Sequence, residues 1–237
     1  MFGYEPEFVV CGDARIAYYD VGRGKPLVLL HGNGEDSSYW NAQIPELTRF
    51  YRVIAVDSRG HGASGSGGHG LSFEMMAEDL KTVLDTLGVK KAHFLGFSDG
   101  GNIALIFTLK YPDYVNKLAV NGANLFPSGL KAGFLLPVKL LYGLFYFPAR
   151  FNKKVKRRLE LLALMAKEPD ILPEQLNDIK CPVLVMAGTR DLIKEKHTRL
   201  IAGSVPNSRL CFLKGDHSIA KTNSLEYNKT VEKFLEE

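Results

Sequence analysis

The sequence predicts an α/β architecture: a mostly parallel central sheet flanked by helices on both faces, with one helical insertion. Three observations lead there. Short Val-, Leu- and Ile-rich runs bounded by Gly, Pro, Asp or Asn recur along the chain and read as buried strands. Longer stretches with helical start and stop signals lie between them, and strands alternating with helices argue parallel pairing beneath two helical layers. From Leu125 to Ile179 the alternation stops, and only apolar and basic helical text remains.

Taken in order, Ile16–Val21 alternates apolar with polar residues and suits an antiparallel hairpin at the sheet edge. Leu27–Leu30, Val53–Val56, His93–Phe97, Leu118–Val120, Val183–Met186 and Leu210–Leu213 are the expected buried strands. Ser72–Leu87 reads as a helix. Ser72 can accept from the first free N–H groups, acidic Glu74, Glu78 and Asp79 favour the early turns, and Gly88 stands where a helix ends. Gly100–Lys110 stops before Tyr111-Pro112, and Glu226–Leu235 closes the chain. Residues 1–124 and 180–237 therefore form the core, and residues 125–179 a helical cap. The first half of the cap is aromatic and Leu-rich. The second carries Lys153, Lys154, Lys156, Arg157 and Arg158, most simply a solvated helix face.

The 237 residues suit one domain with an insertion, and 46% apolar residues allow a sizeable core. A net charge of +4 without an extended basic face does not read as nucleic-acid binding. Cys11, Cys181 and Cys211 form neither a disulfide framework nor a zinc pattern, so a reducing, cytoplasmic compartment is expected. The opening residues lack a basic segment followed by an apolar run, so no signal peptide is expected. Leu130–Phe147, the most apolar stretch, is broken by Lys131, Pro137, Lys139 and two glycines, so neither a membrane span nor membrane association is expected. Nothing calls for a metal or an organic cofactor, and the oligomeric state is not legible.

The chemistry lies in Gly96-Phe97-Ser98-Asp99-Gly100, placed between a strand and a helix. A serine on so sharp a turn stands clear of the sheet. The chain passes close to itself there, so the positions two before and two after must be small. A hydroxyl needs a base. Of six histidines, His217 follows the last strand, in a loop at the carboxyl edge of the sheet. His31 and His61 sit in glycine-rich turns, His69 in a polar loop, His93 on a strand and His197 in a helical stretch, all better read as structural or surface residues. The base needs an acid to hold its tautomer. Asp191 supplies it just after Val183–Met186, whereas the preceding strand is followed by Asn121 and Asn124 but no carboxylate. Two backbone N–H groups should face the developing oxyanion. Asp99 at the helix start and Asn33 in His31-Gly32-Asn33-Gly34 are the expected donors.

With these parts in this order, the chain resembles the α/β-hydrolase superfamily throughout its length. Asp57-Ser58-Arg59-Gly60-His61-Gly62-Ala63-Ser64 is similar to a turn that is structural in that family, and the Ser98-Asp99-Gly100-Gly101 elbow is similar to that of its valacyclovir-hydrolase-like branch. The resemblance implies a triad of Ser98, Asp191 and His217 under a cap. It implies a serine hydrolase acting on a small-molecule acyl substrate, carboxylesterase-like in type. A serine at the elbow argues against haloalkane and epoxide chemistry, where the family uses aspartate. Cleavage of small to medium carboxylic esters is the favoured expectation, with thioesters and activated amides open. The alternatives are a carbon–carbon bond hydrolase and a ligand-sensing receptor that keeps a slow triad. A peripheral membrane hydrolase, using Leu130–Phe147 and Lys153–Arg158 at an anionic interface, is a third reading.

Overall fold

A computed structural model describes residues 4–237. Among them, eight strands build one sheet: β1 (Glu7–Cys11), β2 (Ala14–Gly22), β3 (Lys25–Leu30), β4 (Tyr51–Val56), β5 (Ala92–Phe97), β6 (Val115–Asn121), β7 (Val183–Gly188) and β8 (Ser208–Leu213). Their order across the sheet is β1-β2-β4-β3-β5-β6-β7-β8. Every pairing from β4 to β8 is parallel, while β1 with β2 and β2 with β4 are antiparallel. The helices are α1 (Ile44–Leu47), α2 (Phe73–Thr86), α3 (Asp99–Lys110), α4 (Ala132–Tyr146), α5 (Lys153–Lys167), α6 (Glu195–Ser204), α7 (Ile219–Thr222) and α8 (Ser224–Glu236).

The continuous apolar runs become the inner strands because both sheet faces are covered. β5 and β7 are buried at every position. On one face Val28, Ile54, Phe94 and Val120 pack beneath α2, α3 and α6. On the other, Leu27, Leu95, Phe97 and Met186 pack against Tyr39, Trp40, α1 and α8. The N-terminal hairpin sits at the edge as expected, but its edge strand is β1. β2, which contains Ile16–Val21, lies inside and pairs on both sides. α2 starts as its sequence indicates: Ser72 Oγ accepts from Met75 N–H at 3.2 Å, and the chain leaves the helix at Gly88 with φ 65°.

The turn from Asp57 to Ser64 is built from buried charge. Asp57 Oδ1 accepts from the N–H and Oγ of Ser37, and its Oδ2 accepts from Ala63 N–H at 2.9 Å. Arg59 grips both oxygens of Asp79 at 2.6 and 2.7 Å, and also donates to Asp13 and to the Cys11 carbonyl. This cluster joins β1 to α2 and fixes the loop beside β3. Between β6 and β7 the chain forms no strand among the described residues. There α4 and α5 pack side by side, pinned to the core by the Leu130–Ile193 bridge and the Lys131 N–H to Leu192 carbonyl bond.

Removing one partner from a buried ion pair leaves the other charge stranded. Asp79→Ala is therefore expected to cost about 3–5 kcal/mol in urea unfolding. Arg49→Ala, which breaks the exposed pair with Glu46, is expected to cost under about 1 kcal/mol.

Candidate active site

The sheet reverses its winding at β3. The chain leaves β3 toward β4 on one side and returns to β5 on the other, so the loops after β3 and β5 meet at the carboxyl edge, where ligands bind in open α/β sheets. Ser98 stands at the end of β5, one residue before α3. It is the only non-glycine residue with positive φ among the described residues, at φ 52° and ψ −118°. Crowding on either side holds it there. A Cβ on Gly96 would lie 2.5 Å from the Gly100 carbonyl oxygen, and one on Gly100 would collide with the Leu30 carbonyl oxygen.

His217 Nε2 lies 3.1 Å from Ser98 Oγ, and its Nδ1 lies 2.7 Å from Asp191 Oδ1. A carboxylate has only acceptors to offer, so Nδ1–H donates to Asp191 and Nε2 presents its lone pair to the serine hydroxyl. Asp191 is buried, and its oxygens also accept from the N–H groups of Ile193 and Gly188 at 2.9 and 3.2 Å. The Phe97 ring packs against the imidazole at a centroid distance of 4.8 Å, and Tyr39 stacks beneath Phe97 at 4.1 Å. The three residues singled out from the sequence thus meet in one relay, from three different loops.

The other histidines are occupied elsewhere. His31 donates from Nδ1 to the Gly32 carbonyl and accepts Ser58 N–H at Nε2, and burial pushes its pKa down. His197 accepts Leu125 N–H. Burial lowers His61, His93 and His197 to about 4. His69 is exposed.

A cavity of about 180 Å³ opens over Ser98, lined by Asn33, Asp99, Phe134, Met165 and Glu168 among others. A larger hollow of about 310 Å³ lies on the far side of Glu168, but it contains no nucleophile paired with a base. The Asn33 side chain donates to Asp99 Oδ2 at 2.7 Å and to the Leu161 carbonyl of α5 at 3.1 Å. Asp99 thus engages Asn33 through Oδ2 and takes no hydrogen bond from His217. Burial lifts the Asp99 carboxyl to about 6, against the lowering pull of Asn33 and of His217, and burial also raises Glu168. Ser98 N–H is spent on the Asn121 carbonyl, whereas the Asn33 and Asp99 N–H groups find no acceptor among the described residues. At the first position of a helix that is the expected state.

Two participants escape sequence reading. Gly122, at φ 64°, leaves room for the imidazole: a Cβ there would lie 2.6 Å from His217 Cε1. Its one signal is a glycine directly after a strand. Glu168 reaches the cavity from the far end of α5, where no motif marks it. Its Oε2 accepts Phe73 N–H at the start of α2.

The model of the alpha/beta hydrolase fold family matches residues 25–165. The chain belongs to the alpha/beta hydrolase fold family. As a member of this family of hydrolases, it is similar at 34% identity to a 2-hydroxy-6-oxononadienedioate/2-hydroxy-6-oxononatrienedioate hydrolase of Paraburkholderia phymatum, over 76% of this chain and 75% of that one. It is 30% identical to the human serine hydrolase BPHL, over 96% of this chain and 85% of the relative. Among solved alpha/beta hydrolases, a hydrolase from Pseudomonas aeruginosa superposes with a TM-score of 0.81 at 27% identity, covering 98% of both chains.

A non-glycine residue in the Ser98 conformation stores roughly 1–3 kcal/mol. Glycine relieves that strain but adds freedom to the unfolded chain. Ser98→Gly is accordingly expected to gain roughly 1 kcal/mol in denaturant unfolding over Ser98→Ala. A Ser98→Gly variant less stable than Ser98→Ala by the unfolded-chain cost of glycine would show that the turn is unstrained.

Proposed function

We propose that the protein hydrolyses small to medium carboxylic esters through an acyl-enzyme on Ser98. The observation that carries this reading is the continuous relay from Asp191 through His217 to Ser98 Oγ, with bonds of 2.7 and 3.1 Å, beneath a cavity of about 180 Å³. Ser98 Oγ attacks the ester carbonyl while His217 Nε2 takes its proton. The N–H groups of Asp99 and Asn33 take up the charge on the carbonyl oxygen. His217 then passes the proton to the departing alcohol. It next deprotonates a water that attacks the acyl carbon, and Ser98 leaves reprotonated. Asp191 keeps the imidazole in the required tautomer and stabilises its cationic form. The α4–α5 segment acts as the cap, its Phe134 and Met165 lining the cavity over Ser98.

The cavity also bears on substrate choice. Its volume of about 180 Å³ favours short acyl groups, since sites for drug-sized ligands run to roughly 300–1,000 Å³. Its lining holds the carboxyl groups of Asp99 and Glu168, together with Glu35 already paired to Lys221 at 3.0 Å, and no lysine or arginine of its own. A dianion such as the dienedioate in the Paraburkholderia relative's name would meet like charge here, which favours the ester reading over carbon–carbon cleavage of diacids. An acyl group bearing a basic nitrogen would instead relieve the burial cost of the Asp99 carboxylate.

The test is hydrolysis of p-nitrophenyl esters from acetate to octanoate, beside an amino-acyl ester. The expected result is turnover that falls with chain length and drops at least about a thousandfold in Ser98→Ala. The amino-acyl ester is expected to show the lower KM above pH 6, where Asp99 is ionised. It loses that advantage as the pH falls below about 6 and the carboxyl becomes neutral. Turnover unchanged in Ser98→Ala contradicts the acyl-enzyme. Tight ligand retention without turnover points to a receptor. Equal KM values at all pH values remove the role given to Asp99.

A further inference from the structure

Helix α4 is apolar on two opposite faces. Leu135 and Val138 are buried against the protein. Leu136, Leu140, Leu144 and Phe147, spaced four, four and three residues apart, form a stripe on the other side with relative exposures of 60–66%. Spacings of three and four set side chains on a single helix face. Just beyond the helix, Phe151 is 79% exposed. The stripe has a charged margin of one sign. Tyr114–Leu159 contains no Asp or Glu, and Lys139, Arg150, Lys153, Lys154 and Arg158 all stand exposed with no acidic partner among the described residues, while Lys156 pairs with Glu160 at 3.9 Å. An apolar helix face beside a cationic border is the pattern of a helix lying in a membrane interface.

We infer that α4 and the start of α5 dock this protein on an anionic lipid surface, with the Leu136–Phe147 stripe among the acyl chains and the basic residues among the headgroups. Charge selects this occupant over a second copy of the chain. Pairing two such faces would bring together two predominantly cationic margins, whereas anionic headgroups neutralise them. The helix lies on the bilayer and does not cross it, since no helix among the described residues is long and apolar enough to span one. The sequence alone favours a solvated role for the basic run; the exposed stripe beside it reverses that balance. Phe134, 37% exposed, also lines the cavity over Ser98, so docking sets one wall of that cavity against the lipid surface. The inference concerns the surface of α4 and stands apart from the choice of ester substrate.

The test is co-sedimentation of the full chain with phosphatidylcholine vesicles, with and without phosphatidylglycerol, at low and high salt. Binding is expected to the phosphatidylglycerol vesicles and to weaken with salt. Each Lys or Arg at an anionic surface is worth about fivefold in affinity, so Lys153→Glu/Lys154→Glu/Arg158→Glu is expected to lose roughly a hundredfold or more. Leu140→Glu/Leu144→Glu is expected to lose at least about tenfold. Circular dichroism should stay unchanged in both variants. No binding, or binding indifferent to lipid charge and salt, overturns the inference. So does a concentration-dependent dimer that Leu140→Glu/Leu144→Glu disperses while vesicle binding is absent.

Discussion

Where β5 runs into α3, the backbone of Gly96 and Gly100 closes to a distance that admits no side chain on either, with the Leu30 carbonyl of β3 against the second. That crossing forces Ser98 to positive φ and holds the start of α3 against the carboxyl end of β3. From it follow the exposure of the hydroxyl, the free N–H of Asp99 at the first helical position, and the placing of the β3 loop beside both. The strain is supported by the deepest part of the core, since every residue of β5 is buried.

Around that fixed point the relay is assembled from separate loops. β7 delivers Asp191, which the N–H groups of Gly188 and Ile193 hold. The loop after β8 delivers His217, supported by Phe97 and by the space over Gly122. Parallel strands bring all three loops to one edge, so small local motifs far apart in sequence converge without long-range signals of their own. Asn33 adds a tie of a different kind: one amide bonds the Asp99 carboxylate beside Ser98 and a carbonyl of α5, linking the α4–α5 segment to the loops that hold the relay.

Much of this was legible in the sequence because steric demands write themselves as residue types. The elbow requires small residues two positions to either side of the serine, and strands buried on both faces require unbroken apolar runs such as Leu27–Leu30. β1 was not legible: it buries only Val9 and Cys11, too few to show a period. α1 and α7 are single turns of four residues each, shorter than any helical repeat. Ile16–Val21 reads as part of an edge hairpin, and the hairpin is there; that β1 is its outer strand and β2 its inner one shows only in the pairing. Gly122 and Glu168 matter through contacts with distant residues, which no local pattern records. The Leu-rich text of α4 gave helix correctly. Its two-sided apolar character showed only when the structure buried one face and exposed the other.

Covalent chemistry at Ser98 is the point on which the functional reading turns. Acid-quenching the protein during turnover of a p-nitrophenyl ester, then locating the acyl group by peptide mass spectrometry, probes it most directly. The expected result is one acyl group, on Ser98, that disappears once substrate is exhausted. Steady turnover with no acyl group on Ser98, or with the acyl group on another residue, would contradict the account.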